Sequence, residues 1–297
     1  MEKTESRGVK QFLKKIPPLV YVKRKIYAFF HRVNQAINRR HIETIKSLPL
    51  YVPSSSGSYK DIATLTTLNA NQVFPFLEHL ASVAGKDVSA KIVPIHSLCA
   101  DAASKKCAEE LKVSFNKYGS DKSATHDYHL LYGSILKDKS AVTAILEIGL
   151  GTNNTDVPSN MGEKGRPGAS LRAFRDVLPN ASIFGADVDK RILFEEERIK
   201  TFYVDQTDLK SFDELGKNLK EEFDLIIDDG LHSANANIAT LSFALGKLKR
   251  SGVFVVEDIS PDALPVWRVV SALLSPEYKS QIVSTANDAY VFLVKKN

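Results

Sequence analysis

Five apolar runs in the second half of the chain each stop at groups that resist burial. The run 143–149 contains Glu147 and ends in the turn Gly149-Leu150-Gly151. The run 182–187 ends in Asp187, 200–205 in Asp205 beside Gln206, 223–229 in Asp228-Asp229, and 252–258 in Glu257-Asp258. One acidic strand end is commonplace, but five in succession line a single edge with carboxylates. Oxygen ligands delivered from adjacent strand ends suit a hard, octahedral cation that keeps waters for a substrate to displace. A carboxylate placed like Asp187 can accept both hydroxyls of a ribose, and the glycines of the first turn let the backbone approach a ligand with no Cβ in the way. His232 follows Asp229 by three residues and stands beside Ser233, a candidate helix N-cap.

These residues need elements to carry them. From residue 143 the short apolar runs alternate with amphipathic stretches at 169–178, 207–220, 234–249 and 261–274, the pattern of an open parallel α/β sheet. In such a sheet, ligands bind beyond the carboxyl ends of the strands. The last two runs, 280–286 and 289–296, are separated by Asn287 and Asp288 alone. That spacing is too short for a helical crossover, so it predicts an antiparallel hairpin closing a mostly parallel, seven-stranded Rossmann-like sheet. The first turn reads Gly149-Leu150-Gly151-Thr152-Asn153-Asn154 and lacks the third glycine of a dinucleotide motif. The loop TNNTDVPSNMGEKGRPG then delays the next helix, which disfavours a pyrophosphate seated on that helix's N-terminus. Adenosine without pyrophosphate suits these features.

At 297 residues the chain has room for a large core, and its two cysteines, Cys99 and Cys107, offer neither a disulfide framework nor paired zinc ligands. No run approaches the length of a membrane span, and the first residues lack the apolar core of a signal peptide, so the expectation is a cytoplasmic protein. Residues 1–50 hold 12 Lys/Arg against 3 Asp/Glu, so the overall charge of +5 leaves the rest of the chain net negative. A nucleic-acid groove across the main domain is therefore not expected. Within the arm, Ile26, Phe29, Phe30, Val33 and Ile37 share one side of a helix-compatible pattern after Pro17 and Pro18. Residues 10–40 are thus suited to peripheral contact with an anionic membrane at the inner face, to packing on the protein itself, or to homo-oligomer formation. The divisions expected are a basic amphipathic segment at 1–50, a linker and helical extension at 51–115, and the sheet domain at 116–297.

The motifs LEIGLGT, GASLRAFRDVLPNASIFGADVD, FYVDQTD, FDLIIDDGLHS and GVFVVEDI, taken in order, resemble the class I S-adenosylmethionine-dependent methyltransferases. Within that class they are most similar to the metal-dependent sugar O-methyltransferases of macrolide and aminocoumarin biosynthesis. The segment KYGSDKSATHDYHLLYG (117–133) resembles the short motif preceding the core in that family. The resemblance spans about residues 110–295 and leaves 1–109 uncovered.

What the resemblance implies is specific to position. Glu147, Gly149 and Gly151 match the first cofactor motif, Asp187 the ribose-binding acid, and Asp205 with Gln206 the segment beside the adenine. Asp229, Glu257 and Asp258 match the carboxylates that hold Mg2+, and His232 matches a histidine acting as general base. The implied protein is an S-adenosyl-L-methionine- and Mg2+-dependent O-methyltransferase acting on a hydroxyl of a sugar, glycan or glycosylated small molecule. Asp228 has the rival reading of ending the strand, His232 that of an ordinary helix-start residue, and Asp189 that of a turn cap. Asp121, Lys122, His126 and Tyr128 are either a lid over the cofactor or surface residues before a helix, with His126 and Tyr128 candidates for the substrate or the lid. Two other classes use the same features. A nicotinamide-dependent oxidoreductase would employ Gly149, Gly151 and Asp187, against which the missing glycine and terminal hairpin weigh. A non-catalytic membrane-surface or partner-binding protein would keep the cofactor fold as scaffold.

Overall fold

The computed structural model describes residues 17–48 and 57–297; residues 1–16 and 49–50 of the expected basic segment and 51–56 of the expected linker lie outside the described residues. The chain forms two compact units, divided between Phe76 and Leu77. In the first, α1 (Pro17–Ile37) realises the basic amphipathic pattern, with its two prolines at the start, where a missing N–H is no loss. Ile26, Phe29, Phe30, Val33 and Ile37 are all exposed along it. Next come α2 (Arg39–Ser47) and α3 (Tyr59–Val83), and the division falls within α3.

The second unit continues with β1 (Ile92–Pro94), α4 (Ala102–Tyr118), α5 (Tyr128–Ile135), β2 (Ala144–Ile148), α6 (Ala169–Val177), β3 (Ser182–Asp187) and β4 (Glu195–Glu196). It is completed by β5 (Ile199–Tyr203), α7 (Leu209–Asn218), β6 (Phe223–Asp228), α8 (Ala234–Leu245), β7 (Leu248–Ile259), α9 (Leu264–Leu273), β8 (Tyr278–Ser284) and β9 (Tyr290–Lys296). The strands form one sheet in the order β1-β8-β9-β7-β6-β2-β3-β5-β4. From β5 through β3, β2 and β6 to β7 every pairing is parallel, while β9 runs antiparallel to both β7 and β8. The mostly parallel sheet with an antiparallel end is therefore present, but it has nine strands rather than the seven expected. The extra two, β1 and β4, are three and two residues long, too short for any hydrophobic period to register. The terminal hairpin turns through residues 285–289, with Ser284 and Tyr290 as its last pair and the Thr285 N–H donating to the Ala289 carbonyl at 3.0 Å.

All five residues of β2 are buried, and in β6 Phe223, Leu225, Ile226 and Ile227 have no exposed surface, because helices cover both faces of a parallel sheet. Phe174 of α6 meets Phe115 of α4 and Tyr132 of α5 edge-on, with ring centroids 5.3 and 5.4 Å apart. α4 stops at Gly119, whose φ of +78° suits a left-handed helix terminus. The chain then crosses the carboxyl ends of β2, β6 and β7 before α5 begins. Strand order grows outward from β2 through β3 to β5, then returns to β6 on the other side of β2. That reversal between β2 and β6 is a topological switch point, where an open α/β sheet leaves a crevice.

Candidate active site

At the switch point the loops leaving β2 and β6 pass in contact. Gly149 has φ +93°, and a Cβ there would lie 2.1 Å from the Asp229 carbonyl oxygen. The Asp229 N–H in turn donates to the Ile148 carbonyl at 2.8 Å. Beside them Asp187, 7% exposed, accepts the Leu150 N–H at 2.7 Å through Oδ2 and the Asp189 N–H at 2.8 Å through Oδ1. Burial pushes its carboxyl up, and those backbone donors work against the rise. Each oxygen keeps a lone pair, so the fixed carboxylate is still able to accept a ligand hydroxyl.

A cavity of about 290 Å³ opens above these ends, lined by Gly149, Gly151, Asp187, Asp205 and Gln206 and by Asp229, His232 and Asp258. The expected site residues thus share one cavity, except Glu147 and Glu257, which lie beneath it with 0% and 1% exposure. The loop after the glycine turn contributes Val157, Pro158, Ser159 and Met161 to the wall. The Ser159 hydroxyl donates to the Gly230 carbonyl at 3.0 Å, so this loop bridges the mouth from β2 to β6.

Asp229, His232 and Asp258 each offer one ligand atom, all within 4.8 Å of one another. His232 Nε2 lies 3.8 Å from Asp229 Oδ1 and 3.9 Å from Asp258 Oδ2, too far for a hydrogen bond to either. Both His232 (φ 52°) and Asp258 (φ 55°) are left-handed non-glycine residues, a conformation that costs about 1 to 2 kcal/mol each and gathers at functional sites. At Asp258 the cause is visible. The register between β7 and β9 shifts between Val256 and Ile259, and such an irregularity re-aims a side chain that strand alternation would send elsewhere. Glu257 points inward and Asp258 reaches the cavity. Tyr128 fixes the latter, its hydroxyl donating to Asp258 Oδ1 at 2.6 Å.

Beneath the cavity lies a side chain that the sequence left ambiguous. Lys122, 2% exposed, places Nζ 2.6 Å from Asp229 Oδ2, 2.5 Å from Glu257 Oε2 and 3.1 Å from Glu147 Oε1. Burial disfavours its charge, but the three carboxylates outweigh burial and hold the ammonium well above the ordinary lysine range. Glu257 also accepts the Tyr132 hydroxyl, and Glu147 accepts that of Ser170. Burial pushes both carboxyls up, Glu257 far up, helped by the neighbouring Asp229 charge and opposed by Lys122.

Other expected residues take more structural positions. Gln206 lines the cavity, yet its amide nitrogen donates to Asp228 Oδ1 at 2.9 Å and to Thr240 Oγ1 at 2.8 Å, and its oxygen accepts the Leu231 N–H at 2.9 Å. Asp228 is wholly buried in this network, whereas Asp229 faces the cavity. Asp205 is a cavity residue whose Oδ1 accepts the Thr207 N–H at 2.9 Å. Asp189 caps the turn 190–192, accepting the Arg191 N–H, and also binds Thr152 and Asn154 of the mouth loop. The residues sequence reasoning did not assign are Lys122, Tyr132 and Ser170. Lys122 and Tyr132 lie in the KYGSDKSATHDYHLLYG motif and Ser170 in GASLRAFRDVLPNASIFGADVD, but neither motif marks them as partners of the buried carboxylates.

No family model matches the chain. Among curated proteins it is 27% identical over 153 residues to 8-demethyl-8-alpha-L-rhamnosyl tetracenomycin-C 2'-O-methyltransferase of Streptomyces olivaceus, covering 51% of this chain and 38% of that one. It is 34% identical over 93 residues to mycinamicin VI 2''-O-methyltransferase of Micromonospora griseorubida, covering 31% and 23%. The chain therefore spans well under half the length of either relative. Among solved structures, MycE methyltransferase from the mycinamycin biosynthetic pathway, in complex with Mg and SAH, aligns with a TM-score of 0.43 at 25% identity, over 50% of this chain and 39% of that one. The resemblance read from the motifs and the curated relatives agree, since these relatives are sugar O-methyltransferases of macrolide and tetracenomycin pathways.

Proposed function

We propose that the chain is an S-adenosyl-L-methionine-dependent, Mg2+-dependent O-methyltransferase acting on a hydroxyl of a sugar or glycosylated small molecule. The observation that carries this reading is the linear order of groups along one cavity. Asp187 on β3 stands at one side, the glycine turn of β2 in the middle, and Asp229, His232 and Asp258 after β6 and on β7 at the other. A nucleoside held at Asp187 extends its far end toward the aspartates, and that is the disposition methyl transfer needs. The similarity to curated O-methyltransferases supports the same reaction.

The residues fit both groups. Asp187 would hold the ribose hydroxyls, Asp205 and Gln206 would border the base, and the turn at Gly149 and Gly151 would let the cofactor lie against backbone. Asp229 and Asp258 offer oxygens from adjacent strands to the divalent ion, with Glu257 behind them as a charge partner of Lys122. Bound there, magnesium supplies Lewis acidity that lowers the pKa of an unactivated sugar hydroxyl. His232 Nε2, not engaged by either aspartate, takes the hydroxyl proton. A bound S-adenosyl-L-methionine would supply the methyl group, which the acceptor oxygen would displace from sulfur, leaving a neutral thioether. The cavity walls, including Met161 and Val157, would hold the acceptor oxygen against the methyl group.

The test is calorimetry with S-adenosylhomocysteine alongside transfer of labelled methyl to glycosylated acceptors, with and without chelator. Binding and chelator-sensitive transfer are expected. Absence of S-adenosylhomocysteine binding, or binding of NADH in its place, overturns the reading.

We propose peripheral membrane contact through α1. Its exposed Phe29 and Phe30 lie in a segment whose basic excess complements an anionic lipid surface. Self-association through the same face is the competing outcome. Among the described residues no helix is long and apolar enough to cross a membrane.

A further inference from the structure

Four carboxylates converge at the ends of β2, β6 and β7, yet they do not form one pool of ligands. Glu147 Oε1, Asp229 Oδ2 and Glu257 Oε2 face inward to the Lys122 ammonium at 3.1, 2.6 and 2.5 Å. Asp229 Oδ1 and Asp258 Oδ2 face outward, near His232 Nε2. Asp229 belongs to both sets, one oxygen to each. Lys122 arrives from the segment between α4 and α5, outside the alternating part of the fold, and has only 2% of its side chain exposed. An ammonium in a closed ring of three carboxylates occupies the kind of position in which a metal ion would otherwise sit, since both are compact cations satisfied by oxygen donors.

We propose that Lys122 is a resident cation that fixes the ion count of this site at one, and a positioning residue that acts through Asp229. By holding Oδ2 it presents Oδ1 to the cavity, and by filling the inner ring it confines a divalent ion to the outer oxygens of Asp229 and Asp258, beside the base His232. Glu147 and Glu257 then serve Lys122 rather than the ion. This rests on the methyltransferase reading above and adds to it that the inner and outer cations are separate and that the inner one is covalently part of the chain.

Mn2+ is the probe, with stoichiometry read by calorimetry and by electron paramagnetic resonance on the full chain without acceptor. The wild type binds one Mn2+. Lys122→Ala, which removes the ammonium and leaves room, binds two, and ethylammonium returns the count to one and restores methyl transfer toward the wild-type rate. Lys122→Arg keeps the charge and stays at one. A count of one for Lys122→Ala without ethylammonium overturns the inference. Removing a buried charge from among three others can unfold the chain. If Lys122→Ala is isolated unfolded, recovery of its folded circular dichroism on adding Mn2+ or ethylammonium supports the inference, and no recovery overturns it. S-adenosylhomocysteine calorimetry on the wild type separates the two levels. Binding there with an unchanged Lys122→Ala count overturns this inference alone, and no binding of either probe by the wild type overturns both.

Discussion

The Tyr128 hydroxyl donates to Oδ1 of Asp258 at 2.6 Å and accepts the backbone N–H of the same residue at 3.2 Å. One side chain thus fixes both the carboxylate and the left-handed backbone that aims it. Burial, with the nearby Glu257 and Asp258 charges, holds the phenol protonated far above its ordinary range, so it stays a donor at every working pH. Tyr128→Phe removes the hydroxyl and keeps the ring stacked on His126. Groups that orient a ligating carboxylate are worth about 10- to 100-fold in metal affinity or activity. The expected result is a loss of that order in kcat and in Mn2+ affinity, with S-adenosylhomocysteine affinity unchanged by calorimetry.

Gly149 is required by the crossing of two loops. Gly149→Ala would put a methyl 2.1 Å from the Asp229 carbonyl, and the φ of +93° adds its own strain. Overpacking and left-handed strain together predict a loss of about 3 kcal/mol or more in urea unfolding, accompanied by loss of S-adenosylhomocysteine binding. A stable, binding-competent Gly149→Ala protein would contradict the placement of the β2 turn against Asp229.

The strand ends were legible because a buried parallel strand is apolar until it stops, and the polar groups at the stop mark the ligand edge. Asp187, Asp205, Asp229 and His232 reach the cavity for that reason. Glu257 and Asp258 show where the signal fails. Adjacent strand residues alternate in direction, and only the register shift in β7 decides that the second of them faces the cavity. Lys122 was illegible for a different reason: a lysine beside aspartate, serine and threonine reads as solvated surface. Its burial depends on partners 107 and 135 residues away. Gln206 was placed correctly on the edge, but its hydrogen bonds hold Asp228 and the loop after it.

Acid stability carries the mark of Asp176, which joins α6 to α4. Burial would raise its carboxyl, but Lys117 at 2.7 Å, the Tyr118 hydroxyl at 2.7 Å and Arg175 outweigh this and hold it at about 2. An unfolded aspartate titrates near about 3.9. The folded state therefore binds fewer protons between those values, so stability from this group is present above about pH 4 and is lost as pH falls toward 2. Asp176→Asn is expected to be less stable at neutral pH and to show a shallower loss between pH 4 and 2, read from denaturant midpoints across that range. An unchanged slope would mean that the α4–α6 contact does not hold this charge.

On α1, Phe29 and Phe30 are 63% and 64% exposed in a basic segment. Replacing both by Ser is expected to abolish cosedimentation with vesicles rich in anionic lipid while methyl transfer to a soluble acceptor is unchanged. Raised salt should weaken the wild-type association, since its electrostatic part is screened. If the wild type ignores vesicles yet dissociates from dimer to monomer on the double substitution, the face is a self-association surface instead.

The adjacent aspartates of the DDG turn separate structure from chemistry. Asp228 has no exposed surface and accepts from Gln206 at 2.9 Å, and burial pushes its carboxyl up. Asn in its place keeps the shape and an acceptor oxygen, so Asp228→Asn should fold, bind S-adenosylhomocysteine and retain most of its activity, with a modest drop in stability. Asp229 faces the cavity with Oδ1 and Lys122 with Oδ2. In the proposed reaction Asp229→Asn removes a charge that the divalent ion and Lys122 both require, and it leaves the Ile148 carbonyl its backbone donor. The expected loss in kcat is about 100-fold or more, the scale of a group acting directly in proton transfer or ion binding. Because its backbone contact with β2 is kept, S-adenosylhomocysteine binding should survive. The reverse ranking, with Asp228→Asn inactive and Asp229→Asn active, would move the chemistry one residue back along the strand and the cavity assignment with it.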